Sequence, residues 1–110
     1  MDALNRVRSL CLAHSGATER LSHGSPCFFA ANQRQFAAFA DNHHGDGRIA
    51  LWLAAPLGAQ ELLIESDPVA FFRPPYVGPR GWIGVCLDRV HDELLAGLVE
   101  EAHAAVMRRR

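Results

Sequence analysis

The stretch GSPCFFAANQRQFAAFADNHHGDGRIALWL, from Gly24 to Leu53, decides the fold. It sets three short apolar runs, Cys27 to Ala31, Phe36 to Ala40 and Arg48 to Leu53, between turn-forming clusters at Gly24-Ser25-Pro26, Asn32-Gln33 and Asn42 to Gly47. Runs of this length, separated by Gly, Asn, Asp and Pro, read as a meander of antiparallel strands. Alanine blurs the alternation within each run, so the spacing of the turns carries the reading. A short leading strand is expected near Thr18 to Ser22.

Outward from this core the texture becomes helical. Upstream, Leu4, Val7, Leu10 and Cys11 recur at helical spacing, Asp2 is placed to cap the first turn, and the helix is expected to end near Gly16. Downstream, Pro56 stands at a first helical position and Leu62, Leu63 and Ile64 give a short crossing helix that Asp67-Pro68 stops. The segment from Phe71 to Pro79 holds Pro74, Pro75 and Pro79, and reads as an ordered, semi-extended loop that can be neither helix nor central strand. Trp82 to Leu87 alternates as a strand. From Asp92, Leu94, Leu95, Leu98, Val99, Ala102 and Val106 trace a long amphipathic helix, and the closing Arg108, Arg109 and Arg110 suit its dipole. This order predicts an α+β fold: one domain over residues 1–110, with its core at about 3–107, built as a two-layer sandwich of an antiparallel sheet backed by N- and C-terminal helices.

Composition narrows the class of protein. With 110 residues and 49% hydrophobic side chains, the chain has material for one core and needs no disulfide or metal staple. That excludes a disordered chain and a disulfide-dense mini-protein. All eleven basic residues are arginine, against twelve acids, for a net charge of −1; without the three terminal arginines the body carries −4. The molecule as a whole is therefore no magnet for polyanions, and any anion site must be a local one. Cys11, Cys27 and Cys86 are widely spaced, which suits buried free thiols in a reducing compartment rather than a redox or zinc motif. No apolar stretch approaches the ~20 residues of a membrane span, and the N-terminal apolar run lacks the length of a signal sequence. A cytoplasmic location is expected, with no membrane partner.

Spacing decides between readings of several chemical motifs. His43-His44-Gly45-Asp46-Gly47 resembles a metal nest, but neighbouring residues on a strand point to opposite faces, and Asp46-Gly47 is the usual composition of a hairpin turn. No metal and no cofactor are expected. Ser22, His23, Ser25 and Cys27 lie close together without a nucleophile elbow, and Cys27 leads into Phe28-Phe29 as a core thiol would. Catalysis is not expected. Phosphate-binding glycine loops and paired Cys-x-x-Cys motifs are absent from the sequence.

The concentrated signal is Phe72-Arg73-Pro74-Pro75-Tyr76-Val77-Gly78-Pro79-Arg80-Gly81-Trp82, which puts two guanidinium groups and two amphipathic aromatics on a rigid scaffold. Such a loop can recognise phosphate, carboxylate or a flat ligand at low entropic cost. The same residues serve equally well as packing, with Tyr76 and Trp82 half-buried and the arginines solvated above them.

This segment, together with three others, resembles the YjbR/MmcQ family of small bacterial proteins. The others are Cys11-Leu12-Ala13-His14-Ser15-Gly16-Ala17-Thr18-Glu19, His23-Gly24-Ser25-Pro26-Cys27-Phe28-Phe29 and Asp41 to Arg48. The resemblance runs from about Val7 to Val106. Asn32-Gln33-Arg34-Gln35 departs from the Gly-Lys that relatives commonly carry there, keeping the charge and changing the turn. The resemblance implies a fold similar to frataxin and the secretion chaperones, and a double-wing DNA-binding role in which loops between strands act as wings.

Together these readings predict a non-enzymatic binding domain that contacts DNA through Arg34, Arg48, Arg73 and Arg80, with Tyr76 or Trp82 available for stacking. The alternative is a small planar or anionic ligand held between the sheet and the proline loop, with Tyr76 and Trp82 as walls and Arg80 as anchor. A third is a protein-interaction module that uses an exposed sheet edge.

Overall fold

The computed structural model describes residues 2–108, so Arg109 and Arg110 of the closing arginine run lie outside the described residues. Helices α1 (Ala3–Cys11), α2 (Ala59–Ser66) and α3 (Asp92–Met107) accompany strands β1 (Thr18–Ser22), β2 (Ser25–Phe29), β3 (Gln35–Asp41), β4 (Ile49–Leu53), β5 (Phe71–Phe72) and β6 (Ile83–Cys86). The strands form one sheet in the order β1-β2-β3-β4-β6-β5, antiparallel throughout. The α+β architecture expected from the sequence is the one observed.

Local chemistry sets the boundaries. Asp2 caps α1 by accepting from the Asn5 backbone N–H at 2.7 Å. The helix ends at Cys11, well before Gly16, because the chain then turns to lay His14 against His103 of α3. Strands β1 and β2 join through His23 and Gly24, both at positive φ (53° and 79°), the conformation of a tight hairpin turn. The turn therefore precedes Ser25 and Pro26, which belong to β2. Pro56 is not the first residue of α2; it opens a turn, its carbonyl accepting from Ala59 N at 3.0 Å. The proline loop likewise begins later than expected, because Phe71 and Phe72 pair with Val85 and Gly84 as the sheet's edge strand.

Register divides the sheet into two unlike faces. Phe28, Ala37, Leu53 and Ile83 form one row across the strands, and Phe39, Leu51, Val85 and Phe71 form the next on the same side. The large side chains Phe28, Leu51, Leu53 and Val85 of these rows are fully buried, under the α1 and α3 stripes of Val7, Cys11, Leu95, Val99 and Ala102. Arg6 fastens the two helices' ends: its guanidinium meets Asp92 at 2.7 Å and donates to the Leu87 and Val90 carbonyls at 2.6 and 2.7 Å.

The opposite face carries Arg20, Cys27, Ala38, Trp52, Gly84 and Phe72 in one row, with Ala40, Ala50 and Cys86 beside it. Small residues dominate here, and loops take the place of helices. Gly84 is required by close approach: a Cβ there would fall within 2.7 Å of three atoms of the Phe72 ring, which lies across it. No helix among the described residues is long and apolar enough to cross a membrane.

Candidate functional site

On the loop-covered face lies a cleft of about 600 Å³, within the usual range of small-molecule sites. Its floor is the sheet, with Cys27, Ala38, Ala40 and Trp52. Its walls are the β1–β2 turn at His23, the β3–β4 loop at His43 and His44, and the proline loop at Tyr76, Val77 and Arg80. The alanines open the space, since larger residues at Ala38 and Ala40 would fill it.

An aromatic cluster organises this cleft. The His43 ring stands edge-on to Trp52 at 4.9 Å, to His44 at 4.2 Å and to Tyr76 at 5.8 Å. The Tyr76 hydroxyl lies 3.4 Å from His44 Nε2. His43 and His44 sit on a single 3₁₀ turn, His43–Gly45, so the expectation that their rings diverge as on a strand does not hold. No group of three or more His, Cys, Asp or Glu side chains that could hold a metal ion occurs among the described residues.

The backbone around the cleft is strained. Among the described residues five non-glycine residues adopt positive φ, and three of them, His23 (53°), His44 (50°) and Tyr76 (64°), line the cleft, while Asn42 (54°) immediately precedes His43. Each such residue costs of order 1–3 kcal/mol, and such costs gather where a site has to be held in shape. Two buried polar atoms in the same place have no hydrogen-bond partner: Trp52 Nε1 and His43 Nε2.

A second cleft, of about 450 Å³, opens where the start of β3, the β4–α2 loop and the end of α3 meet. Arg34, Arg80 and Arg108 line it, together with Trp82, Pro56 and Leu57, and no acidic side chain is among its lining residues.

The six candidate residues are thus separated. Arg34, Arg80 and Trp82 share the second cleft, and Tyr76 and Arg80 share the first. Arg80 borders both, with its Cζ 5.4 Å from the Trp82 ring centroid. Trp82 is only 4% exposed and serves as wall, whereas Tyr76 is 71% exposed. Arg48 lies outside both, with its Cζ 4.0 Å over the Phe72 ring and Asp46 at 3.9 Å. Arg73 also lies outside, its Nη1 3.4 Å from Gln60 Oε1.

Two residues that matter here, Trp52 and Gln60, were not singled out from sequence, and a third, His43, was singled out for a different role. Trp52 reads as core in any alternation pattern, because its neighbours are as apolar as those of a sealed strand. His43 carried a signal, but as a metal ligand rather than a wall. Gln60, a polar residue inside an otherwise apolar helical face, is buried and donates to the Gly78 and Trp82 carbonyls at 2.9 and 2.5 Å. It braces the turn that presents Arg80.

The thiols are held protonated. Burial pushes Cys11 up to about 12, with the Glu19 carboxylate adding to the effect. Cys27, at the cleft floor, is raised by burial against a smaller opposing backbone hydrogen bond from Ser22, and burial likewise raises Cys86.

Comparison with known proteins agrees with this architecture. The crystal structure of the Deinococcus radiodurans protein DR2400, described as carrying a DUF419 domain, superposes with a TM-score of 0.82 at 20% identity, over 99% of this chain and 81% of that one. No curated protein matches the chain by sequence. The YjbR family model matches residues 12–105, which spans every strand of the sheet and nearly all of α3, and the chain belongs to the YjbR family.

Proposed function

We propose that this domain binds a small, flat ligand in the cleft over the loop-covered face of the sheet, and holds it without chemical conversion. The observation that carries this reading is the combination at one place of an apolar floor, aromatic walls and a single cation, Arg80, at the rim. Apolar area supplies affinity in such a site, and a few polar groups fix orientation. Binding rather than turnover fits the protonated thiols. A cytoplasmic location fits three cysteines that are free and buried.

The test is a screen of flat aromatic acids by amide-resolved NMR. Shifts should concentrate on Trp52, Tyr76 and Arg80, and shifts confined to the second cleft would remove this reading.

A nucleic-acid reading is favoured by one separate observation, the three arginines from three different elements around the second cleft. Were they phosphate contacts, the logarithm of DNA affinity would fall with a slope of about −3 against the logarithm of salt concentration. A mobility-shift titration at two salt concentrations measures this, and Arg34→Gln with Arg108→Gln should flatten the slope. Absence of binding at low salt removes that reading.

A further inference from the structure

The unpartnered polar atoms of the first cleft say what its ligand has to offer. Trp52 is 8% exposed, and its Nε1, a donor only, is buried without a hydrogen-bond partner. The group nearest in kind is the His43 ring, edge-on at 4.9 Å with an interplanar angle of 77°. A ring is a weaker partner for an N–H than a lone pair. His43 Nε2 is itself buried and unpartnered, whether it carries a proton or a lone pair. Two unsatisfied groups therefore belong to rings that pack edge-on, and each loses its hydration without gaining a bond.

The segment that places His43 there is under strain. Asn42 and His44 flank it at φ 54° and 50°. The loop is braced by its own hydrogen bonds, Gly47 N to Asn42 Oδ1 at 2.8 Å, Arg48 N to Asp46 Oδ1 at 2.9 Å, and the backbone bonds Asn42 N to Arg48 O, Gly45 N to Asn42 O and Asp46 N to His43 O at 2.6, 3.0 and 3.1 Å. Rotation of the His43 side chain about its own bonds requires no change in this backbone and leaves these bonds intact. It would open the indole N–H to the cleft.

We propose that His43 is a displaceable plug over the Trp52 N–H, and that the cleft takes a flat heteroaromatic acid whose ring acceptor receives that N–H while its carboxylate pairs with Arg80. This inference rests on the ligand reading above and narrows it, from any flat ligand to one with an acceptor in the ring. A fused two-ring acid is well within about 600 Å³.

Two probes of one shape separate the possibilities: quinoline-3-carboxylate, which has a ring nitrogen, and naphthalene-2-carboxylate, which does not. Isothermal titration with the full chain should show the quinoline acid binding about tenfold more tightly, the worth of one buried hydrogen bond. Trp52→Phe keeps an aromatic ring on the floor and removes the donor, and should bring the two acids to within about twofold of each other. His43→Ala should tighten quinoline acid binding by about threefold or more, because the ligand no longer has to displace the plug. Weaker binding in His43→Ala would make the ring a simple contact and overturn the plug. Equal binding of the two acids to the wild type, or a preference that survives Trp52→Phe, would overturn the acceptor while leaving the flat-ligand reading intact. Binding of neither acid at millimolar concentration overturns both. Circular dichroism and urea unfolding of each variant separate these outcomes from loss of fold.

Discussion

The two faces of the sheet use the same kinds of residue to opposite ends. Beneath the helices, Phe28, Leu51, Leu53 and Val85 are sealed, and Ala37 is the one small residue in their two rows. Beneath the loops, Trp52 and Phe72 alternate with Ala38, Ala40, Ala50 and Gly84 in neighbouring positions, so large rings stand beside gaps. Helices bring continuous apolar stripes that fill a surface, whereas loops bring isolated side chains that roof it. One face is therefore a core, and the other is a core left unfinished in the middle, where the cleft lies.

The most direct way to break this comparison is to truncate one large ring on each side. Phe28→Ala removes a fully buried ring under the helices and should cost about 3–5 kcal/mol in urea unfolding. Trp52→Ala, at the floor of the cleft, should cost clearly less, about 1–2 kcal/mol, since the space it vacates joins a cleft already open to solvent. Equal losses would mean that the loop-covered face is packed as tightly as the other.

A somewhat smaller effect is expected from the brace between the sheet and the proline loop. Gln60→Leu leaves the Gly78 and Trp82 carbonyls without their donor in a buried setting, and should destabilise the protein by about 1–3 kcal/mol. Hydrogen exchange should locate the loosening at residues 78–82. Unchanged protection there would show that Pro79 and the 3₁₀ turn hold the loop unaided.

The difference between the faces also explains what could be read from sequence. The antiparallel succession of β2, β3 and β4 followed from turn spacing between Gly24 and Leu53, and α1 and α3 followed from stripes such as Val7 with Cys11 and Leu95 with Val99. These are local signals. Whether Ala38 or Phe28 faces a helix or a loop depends on where α1 and α3 dock, a contact between segments far apart in the chain. Arg80 and Tyr76 line the cleft, and they stood out as candidates because proline and glycine mark their loop as rigid. Arg48 and Arg73 carried the same signal and sit elsewhere, because Phe72 and Gln60 engage them. Trp52 looked like any strand residue, and its unpartnered N–H depends on the backbone angles around His43.

The helix side carries a pH-dependent contribution to stability. His103 of α3 stacks on His14 at 4.3 Å and meets Phe36 edge-on at 5.3 Å. Burial lowers its pKa from 6.5, and the neighbouring His14 lowers it further. The folded protein therefore binds fewer protons at this site than the unfolded chain does, so its contribution is intact above pH 6.5 and declines as the pH falls below that value. Thermal unfolding between pH 7.5 and pH 5.5 should show a falling midpoint, and His103→Gln should make the fall shallower. A slope unchanged by the substitution would place the titrating group elsewhere.

The smallest expected change in stability is the one that isolates the cleft. Arg80 is exposed, and its position is set by Gln60 and by the turn from Gly78 to Gly81 rather than by its own contacts. Arg80→Met keeps a long apolar stem beside Trp82 and removes the charge, so stability should stay within about 0.5 kcal/mol of wild type. Binding of an aromatic acid should nevertheless weaken by about tenfold or more, because a carboxylate entering a mostly apolar cleft loses its hydration and then finds no cation. The uncharged methyl ester of the same acid should bind wild type and variant alike. A comparable loss for acid and ester would mean that Arg80 shapes the rim by packing. A loss for the acid alone assigns it the charge that orients the ligand, and separates the residues that make this face foldable from the one that makes it selective.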